Sequence, residues 1–198
     1  MPESSGPART LRADARRNHE RILDATRDSI AEVGPGFAVD DVAARAGVAV
    51  ATLYRRFGSR RDLIRAAFER FATDEVTPLV TAAVRGPDPW QGLVDGLEAT
   101  VLALAGNAPL AAAAQDAGVV ADAVRFMDPL GQALRRAQEG GAARPDLTPD
   151  DLPVLIAMVV TTMVQYPGPD AGRAWRRYLA LLLDGSRAGP SHRPLPPM

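Results

Sequence analysis

AGVAVATLYRRFGSRR, residues 46–61, decides the reading of this chain. A turn of small residues leads into a Thr-Leu-Tyr triplet, and Arg55, Arg56, Arg60 and Arg61 crowd around it. The whole chain of 198 residues nevertheless carries a formal charge of only −1. The charge is divided. Residues 1–71 hold 13 arginines against 10 acids, and residues 72–198 hold 10 arginines against 14 acids. The first part therefore suits a polyanion and the second does not.

The spacing around the stretch explains the concentration. Ala43 is a small residue where two helices can touch, Gly47 sits in a turn, and Leu53 anchors a second helix. This is helix-turn-helix spacing. The second helix, Val50 to Phe57, buries Leu53 and Phe57 and turns Val50, Ala51, Thr52, Tyr54, Arg55 and Arg56 outward. Two turns of helix suffice to lie in a major groove, with arginines and hydroxyls on the flanking phosphates.

Working outward, the pattern stays helical. Period-two alternation is absent, and Ala and Leu dominate. Ile22, Leu23, Ala25, Thr26, Ser29, Ile30 and Val33 form one arc of a first helix from about Asp14, which Gly34-Pro35-Gly36 stops. Asp40 is a cap for a short helix ending at Gly47, and Ser59 caps a fourth helix reaching about Val84. Pro78 falls inside that fourth helix and is expected to kink it or end it early. After Pro87-Asp88-Pro89 further helices are predicted near 90–105, 109–117, 119–139 (with a break possible at Pro129), 150–165 and 171–184. The expectation is an all-α chain of about nine helices. Residues 1–13 are a flexible arm, 14–71 a helix-turn-helix domain, 72–187 a larger helical domain and 188–198 a flexible tail.

Composition narrows the function. With no cysteine there are no disulfides and no thiolate metal sites. No apolar run follows the basic residues of the arm, and proline interrupts the uncharged stretch after Leu152, so a soluble, cytoplasmic chain is expected without a membrane partner. The two histidines, His19 and His192, have no serine or carboxylate at a catalytic spacing. No enzyme activity, metal or cofactor is expected.

Residues 16–71 resemble the TetR-type (TetR/AcrR) transcriptional regulators. The resemblance lies in the ILDA segment from Ile22, VDDVAARAGV, TLYRRF and Leu63 in the following helix. It implies DNA contacts from Val50, Ala51, Thr52, Tyr54, Arg55, Arg56 and Arg60. Arg60 stands where relatives carry a phosphate-holding Lys; a guanidinium serves the same purpose by a fork. Ala49 departs from the Ser that caps this helix in many relatives, and Val50 and Ala51 offer only apolar contacts such as a thymine methyl. Arg55 and Arg56 are then the candidates for guanine readout.

For the rest of the chain the resemblance implies a homodimer built on the last two helices and a pocket for a small-molecule effector. Leu155, Val159, Met163, Trp175, Tyr178, Leu179 and Leu182 are the expected seam. Trp90, Gln115, Phe126, Met127, Met158, Met163, Tyr166 and Trp175 are the expected pocket residues, with core packing as the competing role. The function implied is a ligand-responsive regulator: a repressor that binds a palindromic double-stranded operator as a dimer and is released by an effector. The alternative is a helical ligand-binding dimer without specific operator binding.

Overall fold

The computed structural model describes residues 7–120, 126–165, 171–190 and 193–196. All of its regular secondary structure among these residues is helical, apart from an isolated bridge between Ala143 and Arg187. The chain forms two compact units, one of residues 1–70 with 109–119 and one of residues 71–108 with 120–198.

The first unit contains α1 (Pro7–Val33), α2 (Val39–Ala46), α3 (Val50–Phe57) and α4 (Arg60–Phe71), joined by α7 (Ala108–Asp116) from later in the chain. α1 begins a full seven residues before the expected Asp14. The supposed arm is therefore helical from Pro7, whose missing N–H and fixed φ suit the first helical position. Ile22, Leu23, Ala25, Thr26, Ser29 and Ile30 of α1 are buried as the arc predicts, but Val33 is exposed. The Thr26 hydroxyl donates to the Ile22 carbonyl, which satisfies it inside the core. α1 packs on α2 and α2 on α3, with Val42 and Ala43 of α2 and Leu53 of α3 buried.

The turn between α2 and α3 depends on Gly47. Its φ of 65° lies in the left-handed region, and its N–H and that of Val48 close onto the Ala44 and Ala43 carbonyls. Asp40 does not cap α2. The N-cap is Ala38 with no side-chain bond, and Asp40 and Asp41 instead place negative charge in the first turn. Ser59 does cap α4: the Asp62 N–H donates to its Oγ at 3.1 Å, and its hydroxyl donates back to the Asp62 carboxylate. That bond is the main reason the Asp62 carboxyl is held below the usual range.

The second unit contains α5 (Thr77–Ala83), α6 (Pro89–Gly106), α8 (Asp128–Glu139), α9 (Asp151–Gln165) and α10 (Ala171–Ser186). α4 and α5 are two halves of the single helix expected there, separated by one π turn over Ala72–Val76. The N–H and hydroxyl of Thr77 both reach the Ala72 carbonyl. Widening the turn places Pro78 at the start of a new helical segment, where its lack of an N–H is harmless. Pro129 has the same position in α8, which begins at Asp128. Asp88 caps α6 by accepting from the Trp90 and Gln91 N–H groups. α6 is the centre of this unit, with α5, α8 and α9 around it. Gly92 and Gly96 allow the close approach. A methyl at Gly96 would stand 2.7 Å from a Leu130 methyl, and one at Gly92 would stand 3.2 Å from the Val84 Cα.

Among the described residues of the expected tail, Ala188, Arg193 and Leu195 are hydrogen-bonded to the second unit. Ala188 donates its N–H to the Ala142 carbonyl. The buried Arg144 guanidinium pairs with Asp146 and donates to the carbonyls of Gly185 and Arg193. The Asp146 carboxylate accepts the Leu195 N–H at 2.7 Å. An ion pair inside the unit thus offers the tail backbone both a donor and an acceptor.

Candidate nucleic-acid interface

α3 stands on an apolar foot. Leu53 is buried against the α1–α2 core and Phe57 is half-buried. The opposite face carries exposed Ala51, Tyr54, Arg55 and Arg56, with Val50 and Thr52 half-buried at its start. No side chain caps that start. The Thr52 and Leu53 N–H groups bond only the Ala49 carbonyl, as expected with Ala at the cap. The outward side chains of α3 therefore sit on a two-turn helix whose first N–H groups no side chain among the described residues caps.

The four arginines differ sharply in what they touch. Arg55 has no hydrogen bond or ion pair among the described residues. Arg60, exposed at the start of α4, makes one long bond of 3.4 Å to the Phe37 carbonyl. Arg56 is turned back onto α1: its Nε donates to His19 Nδ1 at 3.1 Å and a terminal nitrogen donates to the Ala15 carbonyl at 3.2 Å. Arg61 faces α7, donating to the carbonyls of Ala117 (2.8 Å) and Gly118 (3.3 Å). That contact is one reason residues 109–119 group with the first unit and not with the second, where the sequence reading put them. Gly118, at φ 63°, lets α7 end in a left-handed turn that presents these carbonyls.

Two residues acquire roles that the sequence pattern did not suggest. His19 stacks on Phe57, with ring centroids 5.4 Å apart and planes 10° from parallel. Burial, and next the Arg56 charge, pull its pKa below the ordinary 6.5. Arg61 is a fastener between α4 and α7. Neither signal is local, because the partners lie 37 and 56 residues away.

The other expected site residues lie in different settings. Trp90 and Trp175 are buried, with the Arg187 and Arg176 guanidiniums over their rings at 4.6 and 4.5 Å. Phe126, Met127 and Met163 are half-buried, Met158 is exposed, and Gln115 is exposed on α7 in the first unit. Tyr166 lies outside the described residues. Of the expected seam, Val159, Trp175 and Leu179 are covered within the subunit itself. Leu155, Met163 and Leu182 are half-buried and Tyr178 is exposed. Val154 and Leu181, outside the expected set, are more exposed than any of these.

The comparisons with known proteins fit this geometry. Residues 22–67 match the family described as bacterial regulatory proteins, tetR family. Residues 88–188, about half of the chain, match the C-terminal domain of SbtR-like transcriptional regulators. The chain belongs to the TetR family. It is a DNA-binding transcriptional regulator and not an enzyme. Among solved structures it is similar to the TetR regulator SCO0520 of Streptomyces coelicolor, at 25% identity and a TM-score of 0.51, over 86% of this chain and 98% of that one. It is similar in fold to a TetR-family regulator from Shewanella, at 18% identity and a TM-score of 0.65, over 87% and 99% of the two chains. It is also similar in fold to FadR of Bacillus subtilis, solved in complex with stearoyl-CoA, at 19% identity and a TM-score of 0.63, over 84% and 98%. No curated protein sequence matches it. No single described helix is long and apolar enough to cross a membrane.

Proposed function

We propose that this TetR-family regulator acts in the cytoplasm as a homodimeric repressor that binds a palindromic operator and leaves it when a small molecule binds the second unit. Thr52, Tyr54, Arg55 and Arg60 contact the DNA, with Arg55 as the guanine reader; Val50 and Ala51 make the apolar contacts. The observation that carries this reading is exposed Arg55, without a hydrogen bond or ion pair among the described residues, beside exposed Tyr54 on a helix anchored by buried Leu53. Arg56 joins the DNA contacts only if it leaves His19.

A dimer follows from energetics as well as from exposed apolar surface. One short helix makes few phosphate contacts, and two linked copies gain by effective concentration. The proposed seam is Val154, Met158, Tyr178 and Leu181, which the subunit leaves exposed, with half-buried Leu155 and Leu182 beside them. Two recognition helices about 34–36 Å apart then meet successive turns of one groove face. The effector works by preferring a conformation with another spacing, since equal affinity for both states shifts nothing. Phe126, Met127 and Met163, half-buried, are the proposed pocket contacts, which suits an effector with an apolar body.

The test is footprinting of full-length protein on DNA flanking its own gene. A protected inverted repeat is expected, with half-sites about one helical turn apart. Protection of a single unrepeated site, or none, overturns the dimeric operator reading. Mass spectrometry of small molecules extracted from protein purified from its native host then identifies the effector, whose addition should clear the footprint.

A further inference from the structure

The Arg56 fork on α1 raises a question that DNA binding alone does not answer. The recognition helix carries two adjacent exposed arginines, yet of the two Arg55 alone has no hydrogen bond or ion pair among the described residues. Arg56 is drawn back by two acceptors, His19 Nδ1 and the Ala15 carbonyl. A guanidinium has only donors and stays charged throughout the accessible pH range. The imidazole nitrogen facing it must therefore be the unprotonated one, which makes His19 neutral with its proton on Nε2.

Protonation cannot leave this arrangement intact. A proton on Nδ1 replaces the acceptor with a donor and sets two cations 3.1 Å apart at their nearest nitrogens. The surroundings do not compensate. Arg70 on α4 adds positive charge, and Glu20 on α1 supplies the opposing negative charge. The Glu20 carboxylate is itself paired with Arg16 at 3.2 Å, and Arg70 is paired with Asp24. Phe57 fixes the ring from the other side without offering an acceptor.

We propose that His19 is a positioning residue for DNA binding: neutral, it holds the Arg56 guanidinium back on α1, and protonated, it releases that guanidinium to the duplex. DNA phosphates favour the released state, because they attract both the imidazolium and the freed guanidinium. Binding is thus coupled to proton uptake by a side chain that itself touches no DNA, and affinity rises as pH falls. The inference rests on α3 being the helix that contacts DNA.

The experiment uses the full-length protein and a fluorescein-labelled duplex of random sequence, with anisotropy followed across a salt series. For the wild type the salt slope per subunit should steepen by about 0.9 between neutral and mildly acid pH, the increment for one added phosphate contact. His19→Gln supplies an acceptor that does not titrate, so its slope should not change with pH. His19→Phe keeps the ring on Phe57 but has no acceptor, so its slope should already be steep at neutral pH. A wild-type slope independent of pH overturns the proposal, as does a His19→Gln protein that retains the wild-type dependence through His192 or any other group. A second measurement needs no DNA. Nitrogen chemical shifts of His19 in the free protein should show an unprotonated Nδ1, and the midpoint should move up in Arg56→Ala. A protonated Nδ1 at neutral pH, or an unmoved midpoint, overturns the positioning role even if α3 binds DNA. A correct tautomer with no binding by any variant overturns instead the assignment of α3 as the DNA helix.

Discussion

α3 in the first unit and the α9–α10 pair in the second are both surfaces that the chain leaves unfinished, and they are unfinished in opposite ways. α3 buries Leu53 and displays Tyr54, Arg55 and Arg56. α9 and α10 bury Leu152, Ile156, Val159, Trp175 and Leu179, yet also leave Val154, Met158, Tyr178 and Leu181 exposed. The first lacks negative charge and the second lacks hydrocarbon. Exposed apolar side chains scattered singly are ordinary, but four on two packed helices ask for a cover. Under the proposed function each surface has its own partner: a polyanion for α3, a second apolar surface for α9–α10.

The sharpest way to break this contrast is to charge the apolar surface. Met158→Glu with Leu181→Glu should convert a dimer to a monomer in light scattering while leaving the helical circular dichroism intact. Affinity for the operator should fall by about 100-fold or more, since the gain from linking two sites is lost. A charged variant that remains dimeric places the seam elsewhere. One that becomes monomeric yet binds as tightly as before removes the reason for a dimer.

Next comes the interior that supports the apolar surface. Gly96→Val puts a branched side chain where even a methyl would meet Leu130, which is fully buried. The expected loss is about 3 kcal/mol, at the upper end for overpacking, read as a lower midpoint in urea with an unchanged m-value. Ala at the same place should cost less, because Leu130 presents only the end of a flexible side chain and helix propensity favours Ala over Gly by about 1 kcal/mol.

On the polar surface, Arg55→Ala and Arg56→Ala should not be equivalent. Arg55→Ala should cost about 1–3 kcal/mol in operator binding and relax base preference at one position of each half-site. Arg56→Ala at neutral pH should cost less, because the structure keeps that guanidinium on His19 and Ala15. Competition binding against operators substituted at each position checks both. Equal losses mean that Arg56 leaves His19 without help from a proton.

The same contrast explains what could be read from the sequence. The helix-turn-helix was legible because its determinants are local: Ala43, Gly47 and Leu53 lie within eleven residues, and Gly47 and Gly58 both adopt positive φ. Pro78 and Pro129 were legible as interruptions, although not in form, since one is absorbed by a π turn and the other opens a helix. What was not legible depends on distant pairs. Nothing near Arg61 announces the α7 carbonyls, and nothing near Arg56 announces His19. The buried fate of Val159, Trp175 and Leu179 was hidden for a related reason. An amphipathic pattern shows that a face is covered, but whether by the same chain or by another is a property of tertiary packing.

The smallest expected effect concerns the tail, and it tests whether polar bonds hold a segment locally where apolar packing holds the rest. The Arg144 guanidinium, and next the Leu195 N–H, keep the Asp146 carboxyl well below the usual carboxylate range. A carboxyl depressed in the folded state favours folding only when ionised. Its contribution is fully present above the ordinary value of 3.8 and is lost progressively as pH falls below it. Hydrogen exchange at Leu195, corrected for intrinsic rates, should therefore show constant protection from pH 7 to about 5 and declining protection below about 4. Asp146→Asn should lose that protection at every pH, because a neutral amide cannot replace the paired carboxylate, while the exchange of buried Leu93 and Leu97 in α6 should stay unchanged. If α6 loosened together with the tail, the Arg144–Asp146 pair would be supporting the whole second unit, and the division between polar fastening at its edge and hydrocarbon packing at its centre would not hold.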